Sequence, residues 1–223
     1  MPAPLSPNFG PRRDGQRPEL IVLHYTAMES CAAARDRLCD PAAEVSAHYL
    51  ISEIGAVEVL VAEEMRAWHA GAGSWGGRGD VNSRSIGVEL ANTGVHPFPA
   101  PQMRALEALL AGVMERWAIP PEGVIAHSDM APGRKADPGP RFDWQRLARA
   151  GLSVWPEPGR GAPARFAADA RAFGYPDAPL DTLLTAFRLR FRPWAAGPLD
   201  AVDAGLAADL ARRFAIDRDA DSP

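Results

Sequence analysis

Cysteine is almost absent from this chain: 223 residues carry two, Cys31 and Cys39. No disulfide framework can be built from them. The stretch between them reads as helix, in which eight residues rise about 12 Å, too far to bridge. Two free thiols are expected. Without a Cys-x-x-Cys spacing, and with Ala32, Ala33 and Ala34 next in line, they read as small packed side chains and not as metal ligands. Lysine is scarcer still, since Lys135 is the single lysine among 24 basic residues. A chain that uses arginine wherever positive charge is needed marks the one place that keeps a flexible ammonium. No apolar run approaches the roughly 18 residues of a membrane helix, so no membrane partner is expected. A net charge of −4 lacks the basic excess of a general nucleic-acid binder. The first nineteen residues hold no apolar core of a secretory signal. Arg12-Arg13 mimics a twin-arginine signal, but the apolar run that follows is short and ends at His24. The expected location is the cytoplasm, or the periplasm for a chain trimmed of its leader.

What remains is a globular composition, 47% hydrophobic and 23% charged. Proline and glycine divide it. WPEPGRGAP (155–163) reads as a linker; before it runs an α/β pattern, after it only helices. The expected division is an α/β domain over 1–153, a linker over 154–163, a small three-helix domain over 164–217 and a tail over 218–223. The fold class is α/β, a mixed central sheet flanked by helices. LIVLHYT (20–26) and SIGVELA (85–91) read as buried strands, and GVIAHS (123–128) as a shorter one. AHYLI (47–51) and VEVLVA (57–62) flank a turn at Gly55 and read as a hairpin. Residues 66–84 hold five glycines without periodicity and read as one long loop of functional character. Met103, Leu106, Leu110, Val113, Met114 and Trp117 mark a helix.

The chemistry-bearing residues fall at strand ends, where such sheets gather ligands. His24 closes the first strand and His127 the last, and Asp137 follows in a loop whose Pro138 and Gly139 allow a turn back. Two imidazoles and a carboxylate have the composition of a catalytic zinc site with one open position. By chemistry alone this stands level with three independently hydrogen-bonded residues. Glu89 sits inside an apolar strand, where a carboxylate is costly unless paired or working. A general base is one role; an ion pair to Arg84 or Lys135 is the other. Lys135 could face a developing oxyanion or simply be solvated.

The series LHYTA (23–27), SAHYLI (46–51), AWHAG (67–71), NSRSIGVELAN (82–92) and AHSDMAPGRKADPGPRFDW (126–144) resembles the type 2 N-acetylmuramoyl-L-alanine amidases, relatives of the peptidoglycan recognition proteins. The resemblance spans about residues 6–152. It implies a Zn2+ cofactor on His24, His127 and Asp137, with Glu89 as catalytic base and Lys135 at the transition state. It implies hydrolysis of the amide between the lactyl group of N-acetylmuramic acid and L-alanine, in peptidoglycan fragments or muropeptides. His69, Trp75 and Asn82 are expected to bind substrate, and His48 to support the site or the fold. The residues after the linker, with AFGYP (172–176) and AFRLRFRP (186–193), resemble a small peptidoglycan-binding module; the bland alternative is a helical appendage that packs on the first domain. The chain is expected to be a monomer. The rival class is a recognition module that binds without cutting, against which the acidic third ligand speaks. A general zinc peptidase would want a His-Glu-x-x-His helix, which the sequence lacks.

Overall fold

The computed structural model describes residues 6–216. The expected tail over 218–223, like residue 217, lies outside them.

A five-stranded mixed sheet organises the α/β part. Its strands are β2 (Leu20–Tyr25), β3 (Tyr49–Ile51), β4 (Val57–Val59), β6 (Ser85–Leu90) and β7 (Val124–Ala126), in the order β4-β3-β6-β2-β7. β2 runs parallel to both β6 and β7, β3 runs parallel to β6, and only β4 is antiparallel to its neighbour. The β3–β4 connection is the expected hairpin, and Gly55 takes φ 87° in its turn.

Each central strand alternates between two buried faces. Ile21, Leu23, Ile86, Val88 and Leu90 join Val124 and Ala126 on one face. Helix α2 (Ala100–Trp117) covers that face with Met103, Leu106, Leu110 and Val113. Helix α4 (Trp144–Arg149) adds Trp144 and Leu147. The opposite face carries Leu20, Val22 and Ile125 toward a second core. At the end of that face lie His24 and Glu89, partners in the parallel register. Helix α1 (Cys31–Cys39) packs beside it, with Ala34 and Leu38 against Leu50 and Leu60. Both cysteines are free and partly buried at the edge of this small cluster.

Three features depart from the sequence reading. The expected loop over 66–84 begins as a strand, β5 (Met65–Ala67), which pairs antiparallel with β1 (Phe9–Pro11) in a separate two-stranded sheet. The last strand stops at Ala126, and His127 opens a one-turn helix, α3 (His127–Met130). Asp129 enforces that break, because its Oδ2 accepts the Ala126 N–H at 2.9 Å. The proline- and glycine-rich segment before the last helices is docked and does not swing free. The Gly161 N–H donates to Ala201 O at 2.7 Å and the Glu157 N–H to Asp209 Oδ2 at 2.8 Å. A Cβ on Gly205 would stand 2.4 Å from the Gly159 backbone, so glycine permits that approach.

The last three helices are α5 (Phe166–Phe173), α6 (Leu180–Phe191) and α7 (Ala201–Phe214). Phe166, Phe173, Phe187 and Phe191 share one continuous core with Leu20, Val22, Trp75 and Ile125 of the α/β part. The bundle is thus welded onto one face of the sheet. No helix of the described residues is long and apolar enough to cross a membrane.

Candidate active site

Strand ends deliver the site. His24 comes from the end of β2, Glu89 from the same level of β6, and His127 from the first residue after β7. The 128–137 loop is closed by a hydrogen bond from the Ser128 N–H to Asp137 O at 3.0 Å, which carries Asp137 back to the histidines. His24 Nδ1 and His127 Nδ1 stand 2.9 Å apart, and each is 2.9 Å from Asp137 Oδ2. All three residues are buried and their ligand atoms lie within 4.8 Å of one another. Two imidazole nitrogens and a carboxylate oxygen aimed at one point are a donor set that could hold a divalent metal, and it suits zinc.

Charge in this pocket is strongly shaped by burial. Burial, followed by the neighbouring His127, lowers the His24 pKa to about 4, so its imidazole is neutral at ordinary pH. Burial would raise the Asp137 carboxyl, but its close contacts with His127 and His24 outweigh it and hold the group ionised, well below the usual carboxylate range. A neutral imidazole at His24 beside an anionic carboxylate is the pairing of protonation states a metal requires. Glu89 is pushed the other way, up to about 8, by burial and then by the negative charge of Asp137. Its Oε2 is shut off from solvent and has no hydrogen-bond partner. The expected alternative, an ion pair from Glu89 to Arg84, is not formed; Arg84 Nε donates to Glu19 Oε1 at 2.5 Å instead.

These residues line one groove of about 350 Å³, with His24, His69, Glu89, His127, Lys135 and Asp137 in its wall. Lys135 is exposed at its edge. Arg37 and Arg134 line it too, and sequence reasoning missed both. The signal for Arg134 is its place next to Lys135 in the GRKADPG segment.

Two expected substrate contacts do not reach the groove. Trp75 is 1% exposed and packs edge-on against Phe173 and Tyr175, with Gly174 pressed beneath its ring. The large aromatic surface belongs to the junction with the last helices and is not free to meet a sugar. Asn82 is buried, and its Oδ1 accepts the N–H groups of His69 and Ala70. Both residues therefore act on structure behind the groove. His69 does line the groove, at its rear, with Nδ1 3.1 Å from His24 Nε2. His48 is fully buried, accepts the Gly87 N–H on Nδ1 and donates from Nε2 to Met65 O.

A groove that gathers three imidazoles, two carboxylates and an ammonium beside the strand ends of a mixed α/β sheet has the make-up of a hydrolytic enzyme site. The family model for N-acetylmuramoyl-L-alanine amidase matches residues 14–140, and the chain belongs to that family. It is 33% identical over 246 residues to the N-acetylmuramoyl-L-alanine amidase AmiD of Escherichia coli, covering 90% of this chain and 85% of that relative. The solved complex of AmiD with anhydro-N-acetylmuramic acid-L-Ala-D-gamma-Glu-L-Lys superposes with a TM-score of 0.83 at 32% identity, over 92% of this chain and 93% of that one. AmpDH3 of Pseudomonas aeruginosa, solved with an anhydromuramic pentapeptide, gives 0.81 at 33% identity, over 90% and 94%. The 1,6-anhydro-N-acetylmuramyl-L-alanine amidase AmpD of Citrobacter freundii is 35% identical over 159 residues, 64% of this chain and 85% of the relative.

Proposed function

We propose that the chain is a zinc-dependent hydrolase of the amide between the lactyl group of N-acetylmuramic acid and L-alanine, acting on peptidoglycan fragments that include 1,6-anhydro-muropeptides. The observation that carries this reading is the convergence of His24, His127 and Asp137 on one point beside the unpartnered carboxylate oxygen of Glu89. The anhydro-muropeptides in the solved complexes of AmiD and AmpDH3 support the substrate class.

His24, His127 and Asp137 would hold the ion. Zinc bound there supplies Lewis acidity, polarising the scissile carbonyl and bringing the pKa of a bound water toward neutrality. Glu89 takes a proton from the attacking water. Its carboxyl is raised to about 8 in part by the charge of Asp137, and a cation held by Asp137 offsets that part. One such carboxyl can both accept a proton and return it to the leaving L-alanine nitrogen. Lys135, at the edge of the groove, directs its ammonium to the developing oxyanion. His69 closes the groove at the rear.

The test is zinc content per chain, followed by a muropeptide assay before and after chelation. One zinc per chain, with release of free L-Ala-peptide that chelation abolishes and zinc restores, is the expected result. Muropeptide bound without cleavage by the zinc-loaded chain would overturn it.

A further inference from the structure

Two backbone carbonyls fix which nitrogens His24 and His127 present to the site. A carbonyl can only accept a hydrogen bond. Ala70 O lies 2.9 Å from His127 Nε2, nearer than the Arg134 guanidinium at 3.3 Å, which itself donates to Ala70 O, so that nitrogen carries the proton and Nδ1 is bare toward Asp137. For His24 the same logic runs through a longer chain. The Ser85 hydroxyl donates its one proton to Val81 O at 2.5 Å, so it accepts from His69 Nε2 at 3.1 Å. With its proton on Nε2, His69 is bare at Nδ1 and accepts from His24 Nε2 at 3.1 Å. That leaves His24 Nδ1 bare, facing His127 and Asp137.

Both chains pass through adjacent residues. The side chain of His69 orients one imidazole, and the carbonyl of Ala70 orients the other. This dipeptide lies in an irregular segment after β5 and has no ladder to fix it. Asn82 does so instead: its Oδ1 accepts the His69 N–H at 3.0 Å and the Ala70 N–H at 2.8 Å. Asn82 is 7% exposed and stands on the 3₁₀ turn Val81–Arg84 that leads into β6, the strand of Ser85 and Glu89. Partners of ligating histidines set ring orientation and basicity, and their loss weakens metal binding about 10–100-fold.

We propose that Asn82 is a positioning residue for metal holding: by clamping the His69–Ala70 backbone it sets the orientation and tautomer of both histidine ligands at once. The inference rests on the zinc reading above. It makes Asn82 a residue that governs the metal without touching metal or substrate.

The experiment compares the full-length wild type with Asn82→Ala and Asn82→Asp. Zinc Kd is read by competition with a chromophoric chelator, the cobalt-substituted absorption spectrum reports ligand geometry, and kcat and KM are measured at saturating zinc. Asn82→Ala should weaken zinc about 10–100-fold and alter the cobalt spectrum, with KM nearly unchanged. Asn82→Asp, which keeps an acceptor oxygen for both N–H groups, should restore most of the affinity. Should Asn82→Ala fail to fold, Ser85→Ala tests the His69 branch alone. Loss of its acceptor should weaken zinc several-fold, and Ser85→Thr should recover it. Equal zinc affinity in wild type and variants would overturn the inference, even with a lowered Tm. A raised KM at unchanged zinc Kd would also overturn it, in favour of substrate contact. A wild type that binds no zinc would instead sink the metal reading and this inference with it.

Discussion

Arg190 and Asp129 form an ion pair from which water is wholly excluded, with Nη1 2.6 Å from Oδ2 and both side chains 0% exposed. The pair joins helix α6 of the terminal bundle to the turn that begins with His127. Asp129 also accepts the Ala126 N–H and the Tyr175 hydroxyl, at 2.9 and 2.6 Å. Arg190 also donates to Val124 O and Ser153 Oγ, and its guanidinium lies 4.2 Å from the Trp144 ring centre. Breaking such a pair by removing one partner leaves an uncompensated buried charge and costs about 3–5 kcal/mol. Arg190→Met should therefore remove a large share of the stability, read as a urea midpoint. Adding Asp129→Asn should recover part of the loss, because the new amide is neutral and its oxygen still accepts the Ala126 N–H. Purely additive losses would show that the ion pair is not what couples the two parts.

For Glu89 the expected phenotype separates chemistry from metal. Glu89→Gln should lower kcat by about 10²–10⁴ while zinc content stays unchanged. The same variant has a signature in the metal-free protein. The folded carboxyl is raised to about 8 against an ordinary value near 4.5, so between those values the native state holds a proton that the unfolded state has lost. This contribution to stability is full below about 4.5 and disappears as pH rises through about 8. Glu89→Gln should abolish that decline in metal-free urea titrations. A decline that survives would assign it to another group.

Lys135→Ala should lower kcat by about 10²–10³, the range for losing one donor to an oxyanion, with little change in Tm. The side chain is exposed and lines the groove, so a collapse in Tm would give it a structural task instead.

Much of the site is legible in the sequence because strand ends are a backbone property. LIVLHY and SIGVEL read as buried strands, and parallel pairing in register sets His24 beside Glu89. SIGVEL holds a further signal. Ser85, Gly87 and Glu89 alternate with Ile86, Val88 and Leu90, which marks one face of the strand as the site. Trp75 escapes sequence reasoning for a physical reason. In a glycine-rich segment an aromatic reads as a groove residue, and nothing local shows that Phe173 and Tyr175, a hundred residues on, bury it. Asn82 reads as a substrate contact because its hydrogen bonds are to backbone groups 12 and 13 residues away, which carry no side-chain signature. The segment before the last helices reads as a linker from its proline and glycine, but glycine serves close packing as well as flexibility, and at Gly161, where a Cβ would come within 2.8 Å of the Ala204 backbone, it does the former.

Acid should destabilise this fold through buried histidines. His48 is neutral by necessity, since Nδ1 accepts the Gly87 N–H and the Arg12 guanidinium lies 3.3 Å from Nε2. Burial lowers its pKa to about 3, and that of His24 to about 4. Both lie below the unfolded value of about 6.5, so the unfolded state binds more protons in acid. The stability they contribute is complete above about pH 6.5 and is lost as pH falls toward their folded values. Each should add a slope of about 1 kcal/mol per pH unit in the metal-free protein. His48→Gln should flatten the acid limb below pH 6.5 without touching metal content. An unchanged slope would remove His48 from the account.

The space for His69 depends on the absence of a side chain at position 87. A Cβ placed on Gly87 would come within 2.4 Å of His69 Cγ and 2.6 Å of its Cδ2. The ring cannot retreat freely, because His24 and Ser85 hold its two nitrogens. Overpacking of this kind costs roughly 1–3 kcal/mol when neighbours must shift. Gly87→Ala should therefore do two things at once: lower Tm and weaken zinc, the second because a displaced His69 no longer accepts from His24. Gly10→Ala is the matched control, since a Cβ there meets nothing within 4 Å and the strand it sits in lies in the separate two-stranded sheet. Reduced Tm with undiminished zinc affinity in Gly87→Ala would mean that His24 keeps its orientation without His69. The longer of the two tautomer-setting chains would then be dispensable, leaving the Ala70 carbonyl as the only one that matters.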